Sequence, residues 1–134
     1  MNILLDTHIA IWALNDEPLL SQKARKLILD PDNVIYYSAV STWEILLKHN
    51  KDKSNLELSP EMFVTFCEEA GFVPLGLYDK HVLEIQRLHR PDNAPPHNDP
   101  FDRLLLAQAK TENMWFITHD NRISEYTEKC IIAV

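Results

Sequence analysis

The chain has few glycines and few cysteines, and this scarcity excludes several classes of protein. Its two glycines, Gly71 and Gly76, lie outside any Gly-rich loop that could cradle a phosphate, which excludes P-loop and dinucleotide-binding proteins. Its two cysteines, Cys67 and Cys130, stand in apolar segments without a CxxC or another ligand spacing. We therefore expect two buried, reduced thiols.

Long apolar runs and an excess of positive charge are also absent from the sequence. No apolar run reaches the ~18 residues of a membrane span, and no charged-then-apolar leader precedes the first strand-like segment. We therefore expect a cytoplasmic protein without a membrane segment. With 20 acidic and 13 basic residues the formal net charge is -7, which argues against a protein that binds nucleic acid through charge alone.

What the sequence does contain is the alternation of an α/β protein. Apolar strand-like segments at 3–5, 34–37, 72–75, 115–117 and 131–134 are separated by amphipathic helical segments at 9–13, 21–29, 40–47, 59–70, 78–90 and 100–112. Pro74 restricts the third strand to an edge position. The 134 residues suit a single domain, 1–134, folded as a three-layer α/β/α sandwich around a central parallel sheet of four to five strands.

Four acidic residues each follow an apolar run or open a helix after a loop: Asp6, Glu44, Asp102 and Asp120. In a parallel α/β sheet such boundaries converge at one edge, where ligands bind. Two carboxylates ~5 Å apart at an effective dielectric of ~20 repel by roughly 3 kcal/mol. A folded protein accommodates this repulsion through raised pKa values or a bound cation. The pattern predicts a divalent-metal site, and an all-oxygen ligand set favours Mg²⁺ or Mn²⁺.

Three of these acids also have a simple structural explanation. Asp6 could cap the helix that follows it, and Asp120 could belong to a turn. Glu44 could form a capping box with Ser41. If the helix begins at Ser38 instead, Glu44 lies in its second turn and needs another explanation. Capping does not require every acid to follow the same kind of boundary, so the four together favour a site.

The segment around Asp99 contains a helix start and a second kind of metal-site candidate. Asp99 is the best cap in the chain because Pro100 follows it at the first helical position. Asp102 then falls at the third helical position, where the helix dipole favours an acid. His97 precedes both acids, but no second histidine stands at ligand spacing, which disfavours zinc.

Four short segments carry these acids in a fixed order: LLDTH at 4–8, SAVSTWEI at 38–45, HNDPFDRLLLAQ at 97–108 and ITHD at 117–120. Together they resemble the PIN-domain ribonucleases, and most closely the VapC toxins of prokaryotic toxin–antitoxin pairs. No single segment is specific for this family, but the occurrence of all four in this order across nearly the whole chain is.

The resemblance implies catalytic and metal-ligating roles for the four acids, listed by motif as Asp6, Glu44, Asp102 and Asp120. It implies Mg²⁺ or Mn²⁺ as cofactor, single-stranded or loop RNA as substrate, a homodimer, and a small antitoxin protein whose tail enters the acidic cleft. Candidate substrate contacts are Thr7, Asp99, Arg103, Thr118 and Arg122, and a structural ion pair is the alternative for the two arginines. His8 and His119 flank two of the acids and are further candidates or plain surface residues.

The predicted function is a metal-dependent endoribonuclease, the toxin of a type II toxin–antitoxin pair. Alternatives are a PIN nuclease of RNA maturation and a PIN fold kept only as a binding module. A phosphoacceptor signalling domain is disfavoured because Asp6 has no paired acid and Asp52 lies in a polar run, where no strand ends.

Overall fold

A five-stranded parallel sheet organises the chain in the computed structural model, which describes residues 1–51 and 57–134. The strands are β1 (Asn2–Leu5), β2 (Val34–Ser38), β3 (Val73–Leu75), β4 (Trp115–Thr118) and β5 (Ile131–Ala133). They lie in the order β3-β2-β1-β4-β5, and every neighbouring pair is parallel. The predicted α/β class and strand number are confirmed, and β3 with its proline is an edge strand.

Seven helices connect and cover the strands in the described parts of the chain. They are α1 (Thr7–Leu14), α2 (Gln22–Leu29), α3 (Ala39–Lys51), α4 (Pro60–Glu69), α5 (Asp79–Glu84), α6 (Pro100–Thr111) and α7 (Asn121–Ser124). The predicted start of α4 is confirmed, since the Ser59 hydroxyl accepts from the Met62 amide at 3.1 Å and Pro60 takes the first turn. Gly71 ends it at φ +82°, a conformation that glycine adopts without strain.

Each face of the sheet has its own apolar core, which produces the three layers. Successive side chains of a strand point to opposite faces, so Ile3 and Leu5 enter one core and Leu4 enters the other. Phe63 of α4 packs in the first core, and Leu105 of α6 packs in the second. The predicted α/β/α sandwich is therefore confirmed.

The strand order also fixes where a ligand site can form. The chain runs from β1 outward through β2 to β3, then returns to the other side of β1 for β4 and β5. The order reverses between β1 and β4, and the crevice beyond the carboxyl ends of such strands is where open α/β sheets bind ligands.

One predicted helix is shorter than expected. The segment 78–90 forms α5 only to Glu84, followed by a 3-10 turn from Ile85 to Arg87. The next backbone groups are bonded far along the chain: the His89 carbonyl accepts from the Thr127 amide at 2.8 Å, and the His89 amide donates to Glu128 at 3.1 Å. The His89 amide therefore bonds to Glu128 where the predicted helix would bond it to a carbonyl four residues earlier.

The structure adds detail to three other expectations. The polar run after α3 extends into residues 52–56, including Asp52, which lie outside the described residues. Both thiols are free; burial raises the pKa of Cys67 to about 12 and that of the half-buried Cys130 to about 11, so neither is a thiolate near neutral pH. No helix within residues 1–51 and 57–134 is long and apolar enough to cross a membrane.

Candidate metal-binding and active site

The acids predicted from sequence meet at the carboxyl edge of the sheet. Burial, first, and then the negative charges of Asp6, Asp99, Glu44 and Asp120 together raise the pKa of Asp102 to about 8. A carboxyl group senses neighbouring charges in this way only at short range. We call these five residues the acid cluster.

Asp6 follows β1 directly and is held by two hydrogen bonds. Its Oδ1 accepts from the Thr7 amide at 2.8 Å, which caps α1, and its Oδ2 accepts from the Thr118 hydroxyl at 2.7 Å. Burial nevertheless raises the pKa of Asp6, because desolvation outweighs both hydrogen bonds and the nearby His8. Asp6 is therefore a helix cap and a member of the cluster at once.

Two buried threonines fix the strand and helix ends around Asp6. The Thr118 hydroxyl, besides donating to Asp6, accepts from the Asp120 amide at 3.1 Å, and so it joins the ends of β1 and β4. The Thr7 hydroxyl shares a hydrogen bond of 2.8 Å with the Ser41 hydroxyl on α3. Because both threonine side chains are buried and bonded, these contacts favour a positioning role over the substrate contact that the sequence suggests.

The start of α3 decides between the two explanations of Glu44. The helix begins at Ala39, and the Ser38 hydroxyl accepts from the Val40 amide at 2.9 Å. Ser41, the other cap candidate, already lies inside the helix with its hydroxyl bonded to α1. The capping box is therefore excluded, and Glu44 lies in the second turn.

Glu44 is buried, and its two carboxylate oxygens have different surroundings. Oε2 forms an ion pair of 2.8 Å with Lys48, one turn further along α3. Oε1 is buried and has no hydrogen-bond partner among the described residues. A buried carboxylate oxygen without a partner costs free energy, and it calls for a ligand.

Asp99 and Asp102 open α6 in the predicted manner. Asp99 is the cap, and its Oδ1 accepts from the amides of Phe101 and Asp102 at 2.9 and 3.1 Å. The cap orients the first turn, and that turn presents the Asp102 side chain to the acid cluster. Asp99 therefore has the structural role that its sequence context predicts.

Sequence reasoning considered His97 only as a metal ligand and missed its role in holding Asp102, together with the contribution of Tyr126. Its Oδ2 shares a hydrogen bond of 3.1 Å with Nε2 of His97, and Nδ1 of His97 shares one of 2.9 Å with the Tyr126 hydroxyl. Burial lowers the pKa of His97, and the charge of Arg122 lowers it further. Both ring nitrogens are engaged within the protein, so His97 orients an acid of the cluster and leaves no nitrogen for a zinc ion.

Asp120 is the most strongly paired acid of the cluster. It caps α7, accepting from the Arg122 amide at 2.9 Å, and forms an ion pair of 3.1 Å with the Arg122 guanidinium. Burial acts to raise the pKa of Asp120, but the hydrogen bonds and charge of Arg122 lower it below its ordinary value. Arg122 is mostly exposed at the mouth of the cluster, whereas Arg103 is half-buried in α6.

The chemistry of these side chains fits a hard divalent cation. Across the described ranges, no group of three or more His, Cys, Asp or Glu side chains is placed so that it could hold a metal ion as it stands. The fit rests on two other observations: the Glu44 oxygen without a partner, and the raised pKa of Asp102. A cation would relieve both, and carboxylate oxygens are the ligands that Mg²⁺ and Mn²⁺ prefer.

The comparison with protein families identifies the class of protein. The profile of the PIN domain matches residues 3–129, nearly the whole chain. The chain therefore belongs to the PIN domain family, a family of nucleases. The resemblance found in the four sequence segments is confirmed at the level of the family.

Solved structures with the same fold include two toxin–antitoxin complexes. VapBC2 from Rickettsia felis, bound to a DNA fragment from their promoter, aligns over 100% of this chain and 98% of that chain with a TM-score of 0.67 and 18% identity. VapBC-1 from nontypeable Haemophilus influenzae aligns over 92% and 93% with a TM-score of 0.58, also at 18% identity. At this identity the likeness shows the fold alone. No curated protein matched the sequence significantly.

Proposed function

We propose that this chain is a metal-dependent endoribonuclease and the toxin of a type II toxin–antitoxin pair. The observation that carries the proposal is the acid cluster of a PIN domain: burial and the neighbouring acids raise the pKa of Asp102 and of Asp6, and one buried oxygen of Glu44 lacks a partner among the described residues. Such a cluster destabilises the metal-free fold, so its presence at the ligand-binding edge of the sheet supports a catalytic role. We further propose that residues 1–134 form one nuclease domain.

Four acids would hold the ion: Asp6 and Asp102 directly, Glu44 and Asp120 directly or through water. Mg²⁺ or Mn²⁺ bound by them would supply the Lewis-acid chemistry of phosphodiester hydrolysis, polarising the phosphate and acidifying a water. Other side chains of the protein orient the carboxylates of these acids. Thr118 fixes the Asp6 carboxylate, and His97 fixes Asp102.

Arg122 is the better of the two candidate phosphate contacts. Its guanidinium is mostly exposed, and its ion pair with Asp120 lies near the surface, where such pairs contribute little stability and exchange readily. Arg122 can therefore turn toward a phosphate at small cost. Arg103 is half-buried, and its buried Nε has no hydrogen-bond partner in the described part of the chain. A structural role suits Arg103 better.

A protein partner is the second part of the proposal. An apolar groove of about 750 Å³ runs between α3, α4 and β3, with Trp43, Leu46 and Val64 among its lining side chains. Trp43 and Leu46 expose large apolar side chains along this groove, and neighbouring exposed apolar side chains are typical of protein contact sites. We propose that the chain forms a homodimer, that it binds a small antitoxin, as the VapBC complexes do by name, and that it acts in the cytoplasm.

The nuclease proposal is tested by Asp6→Asn and Asp102→Asn. With single-stranded and hairpin RNA in Mn²⁺, we expect the cleavage rate to fall at least ~100-fold in either variant, because each removes a ligand charge. Both variants should retain the circular dichroism spectrum of the parent. Asp92→Asn, at an exposed loop acid, is the matched control and should cleave normally. Full activity of either variant, or of the parent in EDTA, would contradict the proposal.

The toxin role is separated from its alternatives by expression in growing cells. A toxin should arrest growth on induction, and co-expression of a small protein encoded beside it should relieve the arrest. A nuclease of RNA maturation should cleave RNA without arresting growth. A PIN fold kept as a binding module should bind Mn²⁺ or RNA without cleaving.

A further inference from the structure

A cleft beside the acid cluster is lined largely by aromatic rings. It encloses about 260 Å³, and its lining consists of Asp6, His8, Trp12, His119 and Asp120. The first three of these residues come from the end of β1 and from α1, and the other two follow β4. The cleft therefore lies at the point where the strand order reverses. We call it the aromatic cleft.

The three rings form a continuous group with Trp12 in the middle. The centroid of Trp12 lies 5.9 Å from that of His8, at an interplanar angle of 47°, and 5.6 Å from that of His119, at 68°. His8 and Trp12 are one turn apart on α1 and so share a helix face. Trp12 is half-buried and packs on the core, whereas both histidines are exposed. The group is anchored at its centre and open to solvent at its rim.

One ring of the group is held in a defined orientation. Nδ1 of His119 lies 2.8 Å from the backbone oxygen of Val134, and since this oxygen acts as an acceptor, the nitrogen carries a proton. In the neutral ring Nε2 is then left as an acceptor. The His119 ring therefore offers both a π-face and a hydrogen-bond acceptor to a ligand.

The side chains that line the aromatic cleft determine which class of ligand it can bind. Two carboxylates, Asp6 and Asp120, line the cleft, so an anion placed inside it would be repelled. Flat π-systems with donor groups suit aromatic walls and acceptor oxygens, and nucleobases are such groups. If the three rings served only to fill the hydrophobic core, they would be buried. His8 and His119 are instead exposed next to the acids.

We propose that the aromatic cleft is a nucleobase subsite, in which an unpaired base of single-stranded RNA stacks against the His8, Trp12 and His119 group. The inference rests on the proposed nuclease function, since the base would belong to the nucleotide next to the phosphate at the acid cluster. A base can enter only when it is not paired in a helix. This requirement agrees with the single-stranded or loop RNA that the family resemblance implies, and the subsite adds to it by fixing which phosphate meets the acids.

The test measures RNA binding separately from cleavage. In an Asp102→Asn background, a fluorescently labelled single-stranded RNA oligonucleotide is titrated with protein in Mn²⁺. Loss of one stacked base typically weakens binding roughly 5- to 150-fold. We expect Trp12→Leu to raise the dissociation constant within that range, and Trp12→Phe, which keeps a ring, to restore binding to within about two-fold of the parent.

Matched controls distinguish stacking from a general loss of structure. Trp115→Leu removes a partly exposed tryptophan at the opposite end of β4 and should leave RNA affinity unchanged. His119→Ala changes an exposed ring and should weaken binding even if Trp12→Leu fails to fold. Equal affinity for parent, Trp12→Leu and His119→Ala would overturn the subsite, as would failure of the parent background to bind RNA.

Cleavage assays on the active protein keep the two proposals apart. If the active protein cuts RNA but the ring variants bind as tightly as the parent, the subsite is wrong and the nuclease proposal stands. If the ring variants lose RNA binding but the active protein never cuts, the subsite stands and the nuclease proposal fails.

Discussion

The molecule contains two groups of partly buried carboxylates with opposite electrostatics. One is the acid cluster. The other, which we call the paired network, joins α5, α6 and the loop before β5, and consists of Lys80, His81, Glu84, Lys110, Glu112 and Glu128. The burial of the two groups is similar: the exposed fractions are 6% for the Glu44 side chain and 13% for Asp102, against 7% for Glu128 and 19% for Glu84. Burial alone therefore does not distinguish them.

The difference between the groups lies in their counter-charges. In the paired network, Lys80 lies 2.8 Å from Glu112, and Lys110 lies 3.1 Å from Glu128 and 3.3 Å from Glu84. The hydrogen bond from Lys80 lowers the pKa of Glu112, and the one with His81 lowers it further. In the acid cluster the pKa of Asp102 rises to about 8 instead. The acids of the paired network each have a lysine partner, which suits a structural role, whereas Asp6 and Asp102 have no lysine or arginine partner among the described residues, which indicates a binding site.

Within the paired network, we expect the largest loss of stability from a substitution of His81. Its side chain is fully buried; Nδ1 accepts from the Tyr78 amide at 3.0 Å, so Nε2 carries the proton and donates to Glu112 at 2.8 Å. His81→Ala leaves a cavity and deprives the Tyr78 amide of its acceptor, while Glu112 keeps Lys80, so we expect the free energy of unfolding to fall by about 2–4 kcal/mol in urea titrations. Manganese affinity should not change. A loss below about 1 kcal/mol would contradict a structural role for this network.

The acid cluster should make the free energy of unfolding of the metal-free protein depend on pH. Folding raises the pKa of Asp102 from 3.8 to about 8, so between these values the folded protein binds more protons than the unfolded chain. The free energy of unfolding of the metal-free protein should therefore fall as pH rises through this range, and the contribution of protonated Asp102 is lost above about pH 8. Asp102→Asn stays uncharged and should remove this part of the slope.

The pH prediction is measured by urea unfolding in EDTA at about pH 5 and about pH 8.5, on the parent and on Asp102→Asn. The difference between the two proteins isolates Asp102 from Asp6, whose pKa is also raised by burial, and from His97, whose pKa burial lowers. Identical slopes for the two proteins would show that Asp102 does not titrate as the cluster requires.

The smallest expected effect comes from the lysine that partly neutralises the acid cluster. Lys48 is more than half exposed, and its pair with Glu44 spans one helical turn. Lys48→Met should change the free energy of unfolding by less than about 0.5 kcal/mol, and it should tighten manganese binding a few-fold because Glu44 loses a competing cation. Lys80→Met is the matched control: Lys80 is equally exposed and pairs with Glu112 at the same distance. It should leave manganese binding unchanged, and weaker binding to Lys48→Met would contradict the account.

Sequence reasoning succeeded where the determinants are local. Strand alternation predicted the sheet, and the step from Asp99 to Pro100 predicted the cap of α6. Asp6 and Asp102 were placed at one edge because parallel strands end together. These inferences need only neighbouring residues and the geometry of a parallel sheet.

Sequence reasoning failed or stayed undecided where the residues that determine a structural feature lie far apart in the chain. The choice between two explanations of Glu44 depends on Ser41, which bonds to Thr7 across 34 positions. Tyr126 holds His97 across 29 positions, and α5 is cut short by partners near Thr127. No local pattern carries such pairings, and a single sequence does not reveal them.

The central claim is that Asp6 and Asp102 have no lysine or arginine partner among the described residues because the acid cluster binds a divalent cation. Isothermal titration with MnCl₂ tests it most directly, on the parent, Asp102→Asn of the acid cluster and Glu112→Gln of the paired network. We predict saturable binding to the parent, at least ~10-fold weaker binding to Asp102→Asn, and unchanged binding to Glu112→Gln. No binding to the parent, or equal losses in the two variants, would contradict the account.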